Sequence, residues 1–306
     1  MGIFRYRVLV YNTDQNEYGT VSASYFAGRM KITGIFQQPI IPDPEDIVVV
    51  NIPWDIIQTV YVELPPMKNI RERNKIAELE IRRLMDIHDE LSVSTIPSLF
   101  GKTLVFFVKK SDYVHFKISK NINFEPDVAY PNIFSELLLL RKFPGYWLYL
   151  VLGKTLSGIV VMHDQFIINT RIFDFSVDDI NSVIKEETGF ALDEIETSGN
   201  VDLLNTAQRI IESLSSDILA RLERELIISI NTTEIEKITI NQVSGIMIVC
   251  DSTLIRNNVI SSQGSFEGKF SEPDYILSPQ NRISLSDLGL LYRGGLEIGK
   301  VKSIKW

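Results

Sequence analysis

Any chemistry in this chain would have to be built from three histidines, one cysteine and a scatter of carboxylates and lysines. His88, His115 and His163 share no spacing that would let two of them hold one metal ion, so no zinc centre is expected. Cys250 closes an apolar run, where a small buried hydrophobe is the usual role rather than a nucleophile. Lys154 lies in the turn Gly153-Lys154-Thr155 with no neighbouring group that would activate it. Asp178 and Asp179 are adjacent carboxylates, but acidic residues favour the first turn of a helix, and a helix start accounts for them. Gly294-Gly295 fits a helix C-cap better than a ligand loop. No catalytic constellation emerges from these residues, and no metal is expected.

The elements that would position them are clearer. Residues 5–36 read as three strands: Arg5 to Tyr11, Tyr18 to Phe26 and Arg29 to Phe36. Residues 146–173 repeat the plan, with Tyr146 to Leu152, Leu156 to Met162 and Phe166 to Phe173 joined by short polar turns. Two halves that each open with a β-meander and close with helices predict a duplicated α/β architecture. Between them lies an extra unit. Asp46 to Ile52 is a buried-strand run ending at Pro53, and Gln58 to Glu63 is rich in β-formers. Pro65-Pro66 stops that strand. Asn69 then suits the N-cap of a helix from Ile70 to about His88, with Ile70, Ala77, Ile81, Leu84 and Met85 on its apolar face. Leu104 to Val108 reads as a strand and Phe134 to Leu140 as a short helix. Val201 to about Ile227 is the clearest helix, followed by a strand at Gly245 to Val249 and a loop at Gly264 to Gln280.

Composition bounds the function classes. The chain has 306 residues, 45% hydrophobic and 23% charged, in keeping with globular usage over about two domains. A net charge of -8 argues against nonspecific nucleic-acid binding. A single cysteine excludes an internal disulfide and suits a reducing compartment. The N-terminus lacks the apolar core of a signal peptide, and the best membrane-span candidate, Leu137 to Gly153, is interrupted by Arg141, Lys142, Pro144 and Gly145. A cytoplasmic protein that meets a membrane only through a partner is the expectation. Charge is segregated: Asp174 to Asp202 carries nine acidic residues and one basic, whereas Lys68 to Arg83 carries six basic and three acidic. Solvated helix faces account for both stretches, and oppositely charged partner surfaces are the sharper alternative.

Several runs together resemble the PilM-like proteins of type IV pilus machines. They are Val50-Asn51-Ile52-Pro53, Val62-Glu63-Leu64-Pro65-Pro66-Met67, Ile76-Ala77-Glu78-Leu79-Glu80-Ile81, Phe124-Glu125-Pro126-Asp127-Val128, and Leu288-Gly289-Leu290-Leu291-Tyr292-Arg293-Gly294. Arg171 stands where that family has an arginine after an apolar strand. The chain also resembles the cytoplasmic part of the GspL proteins of type II secretion. The resemblance implies an actin-like (ribonuclease H-like) two-lobed fold with a nucleotide cleft and a small inserted α+β domain placed as in FtsA. On this basis the first lobe is residues 1–145, with the insert at about 53–120, and the second lobe is residues 146–306.

Actin-like ATPases carry Asp-x-Gly-Ser/Thr turns whose glycines admit phosphates to the backbone and whose Asp holds hydrated magnesium. Here the first turn reads Tyr11-Asn12-Thr13-Asp14-Gln15-Asn16, without the glycine. The second reads Val151-Leu152-Gly153-Lys154-Thr155-Leu156-Ser157, with Val151 in place of the Asp, and Cys250-Asp251 replace the Gly-Gly that abuts adenosine. Asn12, Asp14, Gly153, Lys154, Thr155, Ser157, Cys250 and Asp251 therefore mark a degenerate cleft. Gly153-Lys154-Thr155 retains the makings of a phosphate loop, against the alternative of a plain hairpin turn.

The expected function is a cytoplasmic actin-like adaptor without ATPase activity or bound cofactor, on the inner-membrane platform of a type IV pilus or type II secretion system. A diverged but active actin-like ATPase is the alternative. The resemblance implies that the N-terminal cytoplasmic tail of a PilN-like membrane protein docks beside the inserted domain, and the assembly ATPase of the same machine is a second candidate partner. Val60, Val62, Leu79, Arg82 and Arg83 are the residues expected at that groove, with apolar anchors setting affinity and the arginines setting association rate.

Overall fold

The computed structural model describes residues 6–13, 19–26, 29–38, 40–262, 264–276 and 283–297. Contacts divide the chain into two units, Met1–Leu139 with Ser278–Trp306, and Leu140–Leu277.

Unit 1 is built on a five-stranded sheet. Its meander is β1 (Tyr6–Asn12), β2 (Gly19–Phe26) and β3 (Arg29–Phe36), followed by β4 (Ile47–Ile52), which runs parallel to β1. The chain then leaves this sheet to form a second, three-stranded one from β5 (Gln58–Glu63), β6 (Leu91–Pro97) and β7 (Lys102–Lys109), with α1 (Ile70–Met85) packed on one face. It returns through α2 (Lys110–Ser119), β8 (Val128–Pro131) and α3 (Asn132–Leu137), giving the main sheet the order β3-β2-β1-β4-β8.

Unit 2 repeats that order. The strands β9 (Tyr146–Leu152), β10 (Ser157–His163) and β11 (Phe166–Phe173) form its meander. The helices α4 (Val177–Thr188), α5 (Leu192–Ser198) and α6 (Val201–Asn231) follow, then β12 (Val243–Cys250), α7 (Thr253–Ser261) and β13 (Phe270–Ser271). The sheet order is β11-β10-β9-β12-β13, with β12 parallel to β9 as β4 is to β1. The last helix, α8 (Leu285–Glu297), belongs to unit 1.

Alternation along β1 explains how two helices are held on one sheet. Val8 and Val10 point to one face, where they meet Val49 and Leu290 and Leu291 of α8. Leu9 and Tyr11 point to the other, where Val48, Val50 and Phe116 of α2 close the core. The sheet is thus buried on both faces, which is why β4 reads as an unbroken apolar run.

Three expectations change. The Gly294-Gly295 pair is not a C-cap: both glycines lie inside α8 and are buried. A Cβ on Gly294 would sit 2.5 Å from Val8 and 2.8 Å from Val49, and one on Gly295 would strike the Tyr25 ring, so the pair lets the helix lie directly on the sheet. That contact also returns the C-terminal stretch to unit 1, where the second lobe was expected to run to residue 306. Finally α2, expected within the insert, packs through Phe116 on the main sheet. Asn69 does cap α1, accepting from the Arg71 N–H at 3.0 Å, but the helix stops at Met85 because Asp86 turns left-handed at φ 51°. Only Ala77 and Ile81 of its apolar face are buried; Ile70 at one end of the helix and Leu84 and Met85 at the other are exposed. Among the described residues no helix is long and apolar enough to cross a membrane.

Candidate functional site

A cavity of about 340 Å³ opens inside unit 1, between the small sheet and the main body. β7 contributes Phe106, α3 Phe134, α2 Tyr113 and β8 Tyr130. The Phe106 and Phe134 rings meet edge-on at 4.8 Å, and Trp54 stands behind Phe134 at 5.3 Å. Aromatic rings held against one another leave a rigid apolar floor. Ser92, Val93, Ser94 and Ile96 of β6 complete the wall. Consecutive residues from both faces of the strand border the space, so β6 meets the cavity with its edge. That edge has no strand partner among the described residues, since β6 pairs only with β7.

Two phenols, Tyr113 and Tyr130, line the cavity beside the Ser92 and Ser94 hydroxyls and the Glu125 carboxylate. Burial pushes the Tyr113 hydroxyl up to about 12, with the Glu125 carboxylate adding to the effect. Burial does the same for Tyr130, up to about 12, although the Arg293 guanidinium near its ring pulls the other way. Both phenols keep their protons at neutral pH and can donate to carbonyls. Glu125 lies at the rim, exposed and paired with Lys117. An apolar floor, two phenolic donors and an open strand edge suit a short extended peptide that offers main-chain carbonyls and apolar side chains.

The residues expected at a partner groove lie elsewhere. Val62 is core, packed with Ala77, Ile81, Val105 and Phe107, and Val60 leans on the same cluster. Leu79 faces away from that cluster and is 66% exposed. Arg82 is bound to Glu78 at 2.9 Å and Arg83 to Glu80 at 2.7 Å, which neutralises much of the local positive charge. None of the five lines the cavity.

The residues marked as a degenerate cleft divide between the units. In unit 1, the Asn12 amide donates to Asp287 of α8 at 2.7 Å and accepts from Asn51 at 3.1 Å, while Asn51 accepts from the Thr13 N–H at 2.6 Å. The end of β1 is tied into a side-chain network of its own. Asp14 lies outside the described residues.

In unit 2, Val151 is fully buried in β9. The turn after it caps α4: the Gly153 carbonyl accepts from the Val177 N–H at 3.1 Å, and that of Lys154 accepts from the Asp178 N–H at 3.0 Å and the Ser176 hydroxyl at 2.6 Å. A Cβ at Gly153 would overlap the Leu156 carbonyl, so tightness of the turn accounts for this glycine. The Gly153 N–H donates to Ser157, whose hydroxyl donates to the Phe175 carbonyl at 2.8 Å. Lys154 and Thr155 are exposed. Asp178 sits in the first turn of α4, its pKa raised by burial while Lys154 opposes the shift.

Cys250 is buried at the end of β12, and Asp251 is exposed just beyond it. The start of α7 that follows already holds a carboxylate. Glu196 accepts from the Leu254 N–H at 2.9 Å and the Ser252 hydroxyl at 3.1 Å. A carboxylate at a helix N-terminus occupies the place where an anionic ligand would be favoured. Burial raises the pKa of Glu196, and these hydrogen bonds oppose the shift. Arg171 pairs with Glu225 of α6 at 2.6 Å, a link between β11 and that helix. Among the described residues no cluster of His, Cys, Asp and Glu could hold a metal ion.

No protein-family model matches the sequence, and no curated protein matches it. Solved structures do. The chain is similar over 99% of its length to all of a chain in the PilM-PilN type IV pilus biogenesis complex, at 12% identity and a TM-score of 0.57. Over 96% of its length it is similar to 95% of the cytoplasmic domain of EpsL, an inner-membrane component of the type II secretion system of Vibrio cholerae, at 11% identity and a TM-score of 0.42. Over 81% it is similar to 72% of an archaeal actin homolog solved with ADP, at 13% identity and a TM-score of 0.37. With its twice-used sheet order, the chain has the actin-like fold, in the form seen in the PilM-PilN complex and along its whole length.

Proposed function

We propose that this protein is an adaptor of a type IV pilus or type II secretion assembly platform, and that its unit 1 cavity receives an apolar stretch from the cytoplasmic tail of a PilN-like membrane protein. The observation that carries this reading is the aromatic-floored cavity beside the open edge of β6. Its place in the fold between the small sheet and the main body supports the reading, as does the full-length likeness to a chain of the PilM-PilN complex. The tail adds a strand to β6 and seats alternate apolar side chains against Phe106 and Phe134, while Tyr113 and Tyr130 bond its carbonyls. Such docking holds the protein at the membrane through its partner.

The adaptor works without hydrolysing nucleotide. What supports this is the set of groups already engaged where phosphate and magnesium would be held. Val151 is buried in the strand, Asn12 is bound to Asp287 and Asn51, the turn after β9 caps α4, and Glu196 sits on the start of α7.

The test is calorimetric titration of the full chain with a synthetic peptide of the tail. Ser94 borders the cavity and is exposed, so Ser94→Trp fills the mouth without disturbing the core. Saturable binding to the native chain that is lost in the Trp variant, with an unchanged circular dichroism spectrum, is the expected result. Equal binding to both chains would place the tail elsewhere.

A further inference from the structure

The two ends of the small sheet in unit 1 are chemically unlike. At the end where β6 passes into β7, the chain turns at Ser98–Gly101, closed by the Ser98 N–H donating to the Lys102 carbonyl at 2.8 Å. Phe100 occupies the tip at φ 54° and is 72% exposed. A bulky side chain in the left-handed region is an outlier, and here it buries little in return.

The first turn of α1 lies at the same end. Arg73 Nε donates to the Thr95 hydroxyl at 2.8 Å, which in turn donates to Asn74 at 2.6 Å, pinning the helix beside the last residues of β6. Pro97 is roughly 7 Å beyond Thr95 along the strand. Ile70 is about 4.5 Å beyond Arg73 along the helix. Ile70, 59% exposed, therefore stands near the level of the hairpin tip. β5 ends there too, with Glu63 opposite Lys102.

Charge separates the two ends further. At the far end, Lys109 pairs with Asp89, Lys110 with Glu90, and Arg82 and Arg83 with Glu78 and Glu80. At the Phe100 end, Lys68, Arg71 and Lys102, and Lys75 one turn behind, make no ion pair with any described residue, and Glu63 and Glu72 are the acids among them.

We propose that this end of the small sheet docks on an anionic lipid surface. Phe100 and Ile70 enter the headgroup layer, and the unpaired cations face acidic headgroups. Charge complementarity selects this occupant: an exposed apolar tip flanked by an excess of unpaired cations over acids is a pattern by which peripheral proteins read an acidic bilayer. The contact needs no protein partner, so it stands apart from the tail-binding cavity.

The experiment is sedimentation of the full chain with vesicles of phosphatidylglycerol and phosphatidylcholine, against vesicles of phosphatidylcholine alone. The chain is expected to sediment with the acidic vesicles only, and to be released by salt. Each of Lys68→Glu and Arg71→Glu should lower the partition coefficient by about fivefold or more. Phe100→Asn, which tolerates the left-handed backbone, should lower it as well, whereas Leu84→Ser at the opposite end should leave it unchanged. Native-like circular dichroism and undiminished binding of the tail peptide keep the variants comparable. Failure to sediment with acidic vesicles, equal partition onto both lipids, or partition indifferent to Phe100 and Arg71 would each overturn the proposal. In the first case, loss of an acidic protein partner in the Arg71→Glu variant would assign the surface to that partner instead.

Discussion

Replacing Gly294 with alanine sets two ordinary effects against each other. In a helix interior facing water, alanine is better than glycine by about 1 kcal/mol, because it restricts the unfolded chain. At Gly294 the new methyl would lie 2.5 Å from Val8 Cγ1 and 2.8 Å from Val49 Cγ2. Both valines are fully buried, so neither can swing into solvent. Carbon atoms pack at about 3.5–4.0 Å, and the helix must therefore rise from the sheet or the valines must leave their rotamers. Overpacking of this kind costs roughly 1–3 kcal/mol, which outweighs the propensity gain and leaves a net loss of about 1 kcal/mol. Gly295→Ala, directed at the Tyr25 ring, should have the same sign. Urea titration read by hydrogen-exchange mass spectrometry resolves the effect, because β1 and β4 report unit 1 while β9 and β12 serve as an internal reference. A rise in stability in either variant would refute the close seating of α8 on the sheet, since a left-handed C-cap glycine would also lose stability on becoming alanine.

Other expected outcomes follow from single interactions. Asn69→Ala removes the cap on α1 and should weaken exchange protection in its first turn by about 1 kcal/mol, with β12 unaffected. Burial raises the pKa of Glu196, so the folded state holds this proton more tightly than the unfolded one. Stability from this group is full below the ordinary carboxylate pKa and is lost as pH rises through the raised one. Glu196→Gln should flatten that decline in a pH series of urea melts, and an unchanged slope would show that the carboxylate is not buried as described. Calorimetry with ATP and magnesium should give no saturable heat; micromolar binding, together with turnover abolished by Lys154→Ala, would overturn the adaptor reading in favour of an active ATPase.

What was legible in the sequence was what is encoded locally. Both meanders could be read because their strands alternate or run apolar between polar turns, and α6 because its apolar residues recur over many turns. The cap at Asn69 was visible for the same reason. β6 carries a period-two signal in Leu91-Ser92-Val93-Ser94-Thr95-Ile96, but its serines weaken the apolar pattern that would mark a strand. α2 is short and buries only Phe116, so little periodicity marks it. Gly294-Gly295 misled because two glycines after an apolar helical run normally end the helix; their need comes from Val8, Val49 and Tyr25, far away in sequence. The cavity was invisible for a related reason. Phe106, Tyr113, Tyr130 and Phe134 come from separate elements, and no spacing between them announces a common cavity. Arginines in a local basic run drew attention to α1, yet two of them are spent on neighbouring glutamates one turn away.

The central claim concerns where the partner's tail lies, and photo-crosslinking tests it most directly. A compact diazirine-bearing aliphatic residue at position 94 borders the cavity without filling it as tryptophan would, whereas one at position 79 projects from the outer face of α1. With the tail peptide at saturation, mass spectrometry should find the peptide joined to position 94, and position 79 should remain uncrosslinked. Capture at position 79 with none at position 94 would contradict the account and return the partner to the outer face of α1.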